Sequence, residues 1–436
     1  MADLKQLARR IFHETLAAVD IPAVMQRKLR LQGSVLCLED AEIDLARFES
    51  ILVVAIGKAA HGMAEGLQAL LGDKISFNGI VVAPTPPVHA VKHMAYFVGG
   101  HPTPTAESWK AAEVTLRFLQ ACNEKTLIFF LLSGGGSALV ELPLAPAQAL
   151  QDVQQLHRAL VTCGAPIDAM NTVRKHLSAI KGGRLAIAAD CATKITIAVS
   201  DVPAGKESAL ASGPTLPDPT TIADTLRVLD EFSLREKLPK SLVRWIDEHR
   251  MPETPKNNHP AFANAHFQLL LGLDDLFHPA HHAAEGKGFL ACCDNSTDDW
   301  PVEKAADYLL DQLEALRKAN PGQRLALIAD GEVSSPVTGK GIGGRNAAFV
   351  LACVKRIAEQ KIAVLSAGTD GVDGNSPAAG AVADGETLER SKAIGLNARF
   401  MFRESDSYSY FARLGDAIVT GPTGNNLRDL RILLAE

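Results

Sequence analysis

Three consecutive glycines between two serines, Ser133, Gly134, Gly135, Gly136 and Ser137, follow directly on the apolar run TLIFFLL. A strand that runs into a glycine-rich turn and then a helix start leaves backbone N–H groups unblocked by side chains, which makes an anion site, with phosphate as its natural guest. The bland alternative is a tight turn that needs glycine only for its dihedral angles. Lys58, in AIGKAAHGMAEGL, stands at the head of an expected helix. A cation there runs against the helix dipole, and an anion lying in front of it would resolve the conflict. The stretch NTVRKHLSAIKGGRLA carries Arg174, Lys175, His176, Lys181 and Arg184. Either Arg174 or Lys175 suits a substrate carboxylate, an arginine fork being able to clamp it bidentately; as a plain charge run the stretch would be a solvated face.

Further carboxylates follow expected strands. Asp201 comes directly after KITIAVS, in the place of a Mg²⁺-holding or proton-accepting carboxylate. Glu332 follows LALIAD, Arg345 opens the helix after GKGIGG, and Asp370 and Asp373 lie three apart among glycines after IAVLSAG. Two such carboxylates offer oxygen ligands to a divalent cation, or serve simply as turn residues. His278, His281 and His282 have some metal-ligand character but no convergent carboxylate at clear spacing, so a surface helix is expected there.

These residues need a frame. Short apolar runs, ILVVAIG, GIVVA, TLIFFLL, KITIAVS, RLALIAD, IAVLSAG and AIVTG, alternate with amphipathic helix-length segments. That alternation predicts βαβ units and a parallel sheet, with loops gathered beyond the carboxyl ends of the strands. A chain of 436 residues exceeds the size of a single core. The Pro-rich, aperiodic stretch RMPETPKNNHP at 250–260 is the expected linker, giving domains at 1–250 and 251–436.

A net charge of −6 without a long basic run excludes a nucleic-acid surface, though not a local pocket for a small anion. No apolar run approaches the about 20 residues that span a bilayer. The seven cysteines are scattered without metal-type spacing, and the amphipathic first 20 residues lack a signal-peptide core, so reduced thiols in a cytoplasmic protein are expected. No P-loop motif occurs. A literal GxGxxG does, at Gly339, Gly341 and Gly344, but the segment GEVSSPVT separates it from the strand end where a dinucleotide fingerprint turns the chain.

Taken together, GKAAHGMAEG, LLSGGGSALVELP, NTVRKHLSAIKGGRLA, SDVPAGKESALASGPT, GKGIGGRNAAF, GTDGVDGNSPAAGA and GPTGNNLRDL resemble, in order and over nearly the whole chain, the class II glycerate kinases, the glycerate 2-kinase or MOFRL family, some members of which are called hydroxypyruvate reductases. The resemblance implies transfer of the γ-phosphoryl of ATP, with Mg²⁺, to the 2-hydroxyl of D-glycerate. It also implies two α/β/α domains, the first Rossmann-like with a mostly parallel sheet and the second of MOFRL type, with an interdomain cleft. The family's catalytic lysine and arginine carry over to Lys58 and Arg345. In that setting the 133–137 loop cradles nucleotide phosphates, Arg174 or Lys175 binds the glycerate carboxylate, and Asp201, Asp370 or Asp373 holds Mg²⁺ or orients the hydroxyl. The sequence departs from the family where an acidic pair commonly follows DVP: it reads Ala204, Gly205, Lys206 and Glu207. The His-rich stretch at 265–287 is also longer than the family leads one to expect. An NAD(P)-linked hydroxypyruvate reductase is the rival expectation and a silent ligand sensor a third; the chain leaves room for a homodimer.

Overall fold

The computed structural model describes residues 3–146, 148–200, 202–203 and 205–436. They divide into two compact units, one made of residues 21–272 and the other of residues 1–20 and 273–436. The division therefore falls after Gly272 and not at 250, for two reasons. The expected linker is packed within the first unit, where Glu253 accepts a hydrogen bond from His176 and Asp218 donates its N–H to the Pro255 carbonyl. The strand Ala265–Leu271 then extends that unit's sheet. The N-terminal helix Leu4–Ala18 belongs to the second unit, where Lys5 pairs with Asp384 and Asp416.

The first unit holds a six-stranded, wholly parallel sheet. Its spatial order is Met94–Val98, Asn78–Ala83, Ser50–Ile56, Thr126–Ser133, Thr193–Val199, Ala265–Leu271. Numbered along the chain this is 3-2-1-4-5-6, the doubly wound order in which connections leave in opposite directions from the first and fourth strands. Thr126–Ser133 is buried at every position, as a central parallel strand covered on both faces must be, which explains an apolar run without alternation. A small antiparallel sheet of Arg30–Gln32, Val35–Cys37 and Glu42–Asp44 completes the unit.

The second unit departs from the expected parallel pattern. Among the described strands of its sheet, only Leu290–Cys293 and Leu325–Asp330 pair in parallel. The last strand, Asp429–Ala435, inserts antiparallel between Leu325–Asp330 and Ile362–Gly368, and Gly380–Asp384 and Ala417–Ile418 add further antiparallel pairs. As a result the carboxyl ends of Leu325–Asp330 and Ile362–Gly368 share an edge with the start of Asp429–Ala435, and Arg428 and Asp429 arrive among loops separated from them by many residues. No helix among the described residues is long and apolar enough to cross a membrane. All seven cysteines are free thiols.

Candidate active site

In the first unit the candidate residues gather where the sheet's connections diverge. Ser50–Ile56 and Thr126–Ser133 are neighbours, and the two loops leaving them are the lysine loop and the triple glycine. They interlock through the backbone: the Lys58 N–H donates to the Gly134 carbonyl at 3.0 Å, and the Ala59 N–H to Ser133 Oγ at 3.0 Å. Gly57 has φ +132°, and a Cβ there would lie 2.1 Å from Ser133 Oγ, so the two loops approach as only glycine permits. Gly135 has φ +84°, and its missing Cβ faces Lys58 and His101, each 3.3 Å away. Ser133 is fully buried, so its hydroxyl positions the loop; Gly135 and Ser137 are its partly exposed members.

From Ser137 a polar chain runs inward. Its hydroxyl meets that of Ser212 at 2.7 Å, Ser212 donates to Asn171 Oδ1 at 3.0 Å, and Arg174 Nη1 donates to the same oxygen at 3.2 Å. Ser212 is held there by the KGGR turn, whose Gly182 and Gly183 N–H groups bond the Ser212 and Gly213 carbonyls at 3.0 and 2.7 Å. Ala211 and Ser212 both have left-handed φ, 49° and 60°. Backbone strain of this kind persists only where surrounding contacts enforce it and clusters at functional sites. Among the described residues Arg174 Nε finds no acceptor, though it is buried, and burial lowers the pKa of its guanidinium. An unpaired buried donor is expensive, so a ligand carboxylate would gain by meeting it.

Lys175 does not share that role. It points into the protein, 4 % exposed, and pairs with buried Asp218 at 3.1 Å, because the next residue on a helix lies about 100° round. Lys181 also serves the core, pairing with Glu141, which in addition accepts from His157 at 3.0 Å and Ser178 Oγ at 2.6 Å. Burial pushes Glu141 upward, but Lys181 and His157 outweigh it and hold its pKa down to about 2. A carboxyl depressed from 4.5 to about 2 contributes stability that is present above pH 4.5 and lost as pH falls through 2. Glu141→Gln should flatten that acid limb and destabilise the fold by about 3–5 kcal/mol, because Lys181 is left buried and unpaired. Urea unfolding as a function of pH measures both effects.

In the second unit Arg345 opens the helix Arg345–Cys353. Its Nε donates to Asp429 Oδ2 at 2.5 Å and its Nη1 to Glu332 Oε2 at 2.7 Å, while Nη2 reaches Asp429 Oδ1 at 3.3 Å and Glu332 Oε1 at 2.6 Å. Burial opposes its charge, but Asp429 and Glu332 more than offset that and raise the pKa. Asp429 is placed by Thr369, whose hydroxyl accepts the N–H groups of Leu427 and Arg428 at 3.0 and 3.1 Å. Asp330, at the end of Leu325–Asp330, is 1 % exposed and accepts no hydrogen bond on either oxygen from the described residues. Burial lifts it to about 6 against the pull of Arg428, whose Nη1 is 3.8 Å away and whose other nitrogen binds Asp298.

The pair Asp370 and Asp373 does not fit a metal site. Both Asp373 oxygens are occupied by helix N–H groups, from Asn346 at 2.9 Å and Ala347 at 2.8 Å, and the side chain is 1 % exposed. It is a helix cap, pushed up to about 7 by burial in spite of those bonds. Asp370 spends one oxygen on the Val372 N–H at 3.0 Å. Asp201 lies outside the described residues. The GxGxxG glycines are explained by packing: Cβ atoms on Gly339, Gly341 and Gly344 would lie 2.3 Å from the Glu404 carbonyl, 2.4 Å from Asp406 Cβ and 2.3 Å from Asp373 Oδ1.

Asn171, Ser212, His101, Asp330, Arg428 and Asp429 were not singled out by sequence. Asn171 and Ser212 lie inside charged or Gly-Pro stretches without a spacing rule, and Arg428 and Asp429 gain their meaning only from the inserted strand.

Comparison with known proteins agrees with this architecture. Residues 7–247 match the family described as "Domain of unknown function (DUF4147)", and residues 325–429 match the MOFRL family. A D-glycerate 2-kinase from Thermotoga maritima is 35% identical over 88% of this chain and 90% of its own length. A glycerate 2-kinase from Pyrococcus horikoshii is 29% identical over 99% of this chain and 97% of its own. A crystal structure of a glycerate kinase from Thermotoga maritima superposes with a TM-score of 0.83 at 33% identity, covering 99% of each chain.

Proposed function

The chain belongs to the glycerate 2-kinase family of MOFRL proteins, and from that premise we propose that it transfers the γ-phosphoryl of ATP, taken as its Mg²⁺ complex, to the 2-hydroxyl of D-glycerate, giving 2-phosphoglycerate. The observation that carries this reading is the meeting of Lys58 with the triple-glycine loop at the divergence point of a 3-2-1-4-5-6 sheet, where ligands of such folds bind. Phosphoryl transfer asks little covalent chemistry of a protein; it asks for in-line positioning and for cations around the group in flight.

On this reading the loop around Gly135 and Ser137 offers N–H and hydroxyl donors to phosphate oxygens, Lys58 neutralises charge on the transferred group, and Arg345 is proposed as a further catalytic cation. Arg174 receives the glycerate carboxylate, with Asn171 holding its guanidinium. Asp201, two residues past the end of the strand Thr193–Val199, is proposed to orient the hydroxyl and accept its proton. The cation enters with the nucleotide's phosphates, and no step requires a cation held by Asp370 and Asp373. The free thiols suit a reducing cytosol, where this reaction would run.

The experiment is incubation of the purified protein with D-glycerate, ATP and Mg²⁺, with products identified by phosphorus NMR and NADH oxidation by hydroxypyruvate assayed in parallel. 2-Phosphoglycerate is expected, with ATP but not NADH protecting against thermal unfolding. NADH oxidation without phosphoryl transfer would overturn the kinase reading.

A further inference from the structure

The helix Asp274–Glu285 carries a group of donors that takes no part in the site above. His281 and His282 each place Nδ1 3.4 Å from Oε2 of Glu285, and the three potential ligand atoms lie within 4.8 Å of one another. Glu285 is thus the convergent carboxylate that spacing alone did not supply for the histidines; it replaces His278 as the third member of the group. Adjacent helical residues lie about 100° apart, so two neighbouring imidazoles converge on one oxygen only by turning their rings. They stand nearly perpendicular, at 85° with centroids 5.9 Å apart.

A second observation gives the group a direction. His281 Nε2 lies 3.2 Å from the Ala291 carbonyl, an acceptor only, so Nε2 carries the proton and donates. In the neutral ring Nδ1 then presents its lone pair toward Glu285. A ring N–H fixed on a backbone carbonyl while the other nitrogen faces outward is the usual support of a metal-bound histidine. Two imidazole nitrogens and one carboxylate oxygen suit a borderline transition-metal dication such as Zn²⁺ or Co²⁺, and not Mg²⁺, which prefers oxygen alone.

We propose that His281, His282 and Glu285 form a surface binding site for one transition-metal dication, separate from the cation that accompanies the nucleotide. Water completes the coordination, and the bound ion fastens the last turn of the helix to the strand Leu290–Cys293 through His281.

The test is a titration of the full-length, tag-free protein with Co²⁺ in excess Mg²⁺, followed by calorimetry and visible spectroscopy. One equivalent bound without sulfur-to-cobalt charge transfer is expected, with affinity falling at least about tenfold in both His282→Ala and Glu285→Gln. The His282 side chain is 76% exposed, so its removal leaves the fold intact. Kinase turnover of both variants should equal that of the parent protein. Absence of binding, affinity equal in parent and variants, or a thiolate-ligated spectrum would each overturn the site.

Discussion

Arg345→Ala lowers kcat/KM for phosphoryl transfer by about 10²- to 10³-fold, the range set by removal of single electrostatic contacts to a transition state. Arg345 sits between Glu332 and Asp429 with four contacts of 2.5 to 3.3 Å from its fork. Its removal therefore has a second consequence: Asp429, whose side chain is 4% exposed, loses its neutralising partner. Destabilisation should accompany the loss of activity. The two effects separate with Arg345→Lys, which keeps the charge but not the bidentate fork. If Arg345 served only to neutralise Glu332 and Asp429, the lysine variant would regain most of the turnover along with stability. If its planar fork also meets the transferred phosphoryl, kcat stays depressed while the unfolding midpoint recovers. Steady-state kinetics beside denaturant unfolding read both.

Much of the first unit was legible because its sheet is buried on both faces. Uninterrupted apolar runs such as Leu127 to Leu132 have few other homes, and glycines at their ends mark the ligand edge. The second unit was harder. Asp429–Ala435 is equally buried, but that it slots antiparallel between two earlier strands is a long-range pairing that local pattern does not encode. The consequence reaches the site, since Asp429 and Arg428 meet Arg345, Asp330 and Asp298 only through that insertion. Asp373 is hard to read for a related reason. An Asp in a glycine-rich loop serves a metal or a helix end equally well until it is known which N–H groups face it, and those belong to Asn346 and Ala347, far back in the chain. Lys175 and Arg174 differ only by a rotation about their helix. The burial of the neighbouring Asp218 decides between them, and no spacing rule reports it.

Lys58 carries the second large effect. Its N–H ties the lysine loop to the Gly134 carbonyl, and that bond survives any non-proline substitution. The helix behind it, Ala60–Leu71, begins without a side-chain cap from Ala59, so the positive end of its dipole faces the lysine loop. A phosphate bound there would meet both the helix end and the lysine. Lys58→Ala should lower kcat by about 10²- to 10³-fold. Lys58→Glu should reduce turnover at least as far and weaken ATP protection against thermal unfolding, because a carboxylate satisfies the helix end and repels the nucleotide. Retention of near-normal turnover in Lys58→Ala, with folding intact by circular dichroism, would assign the lysine to the solvated surface and move the phosphate-binding charge elsewhere.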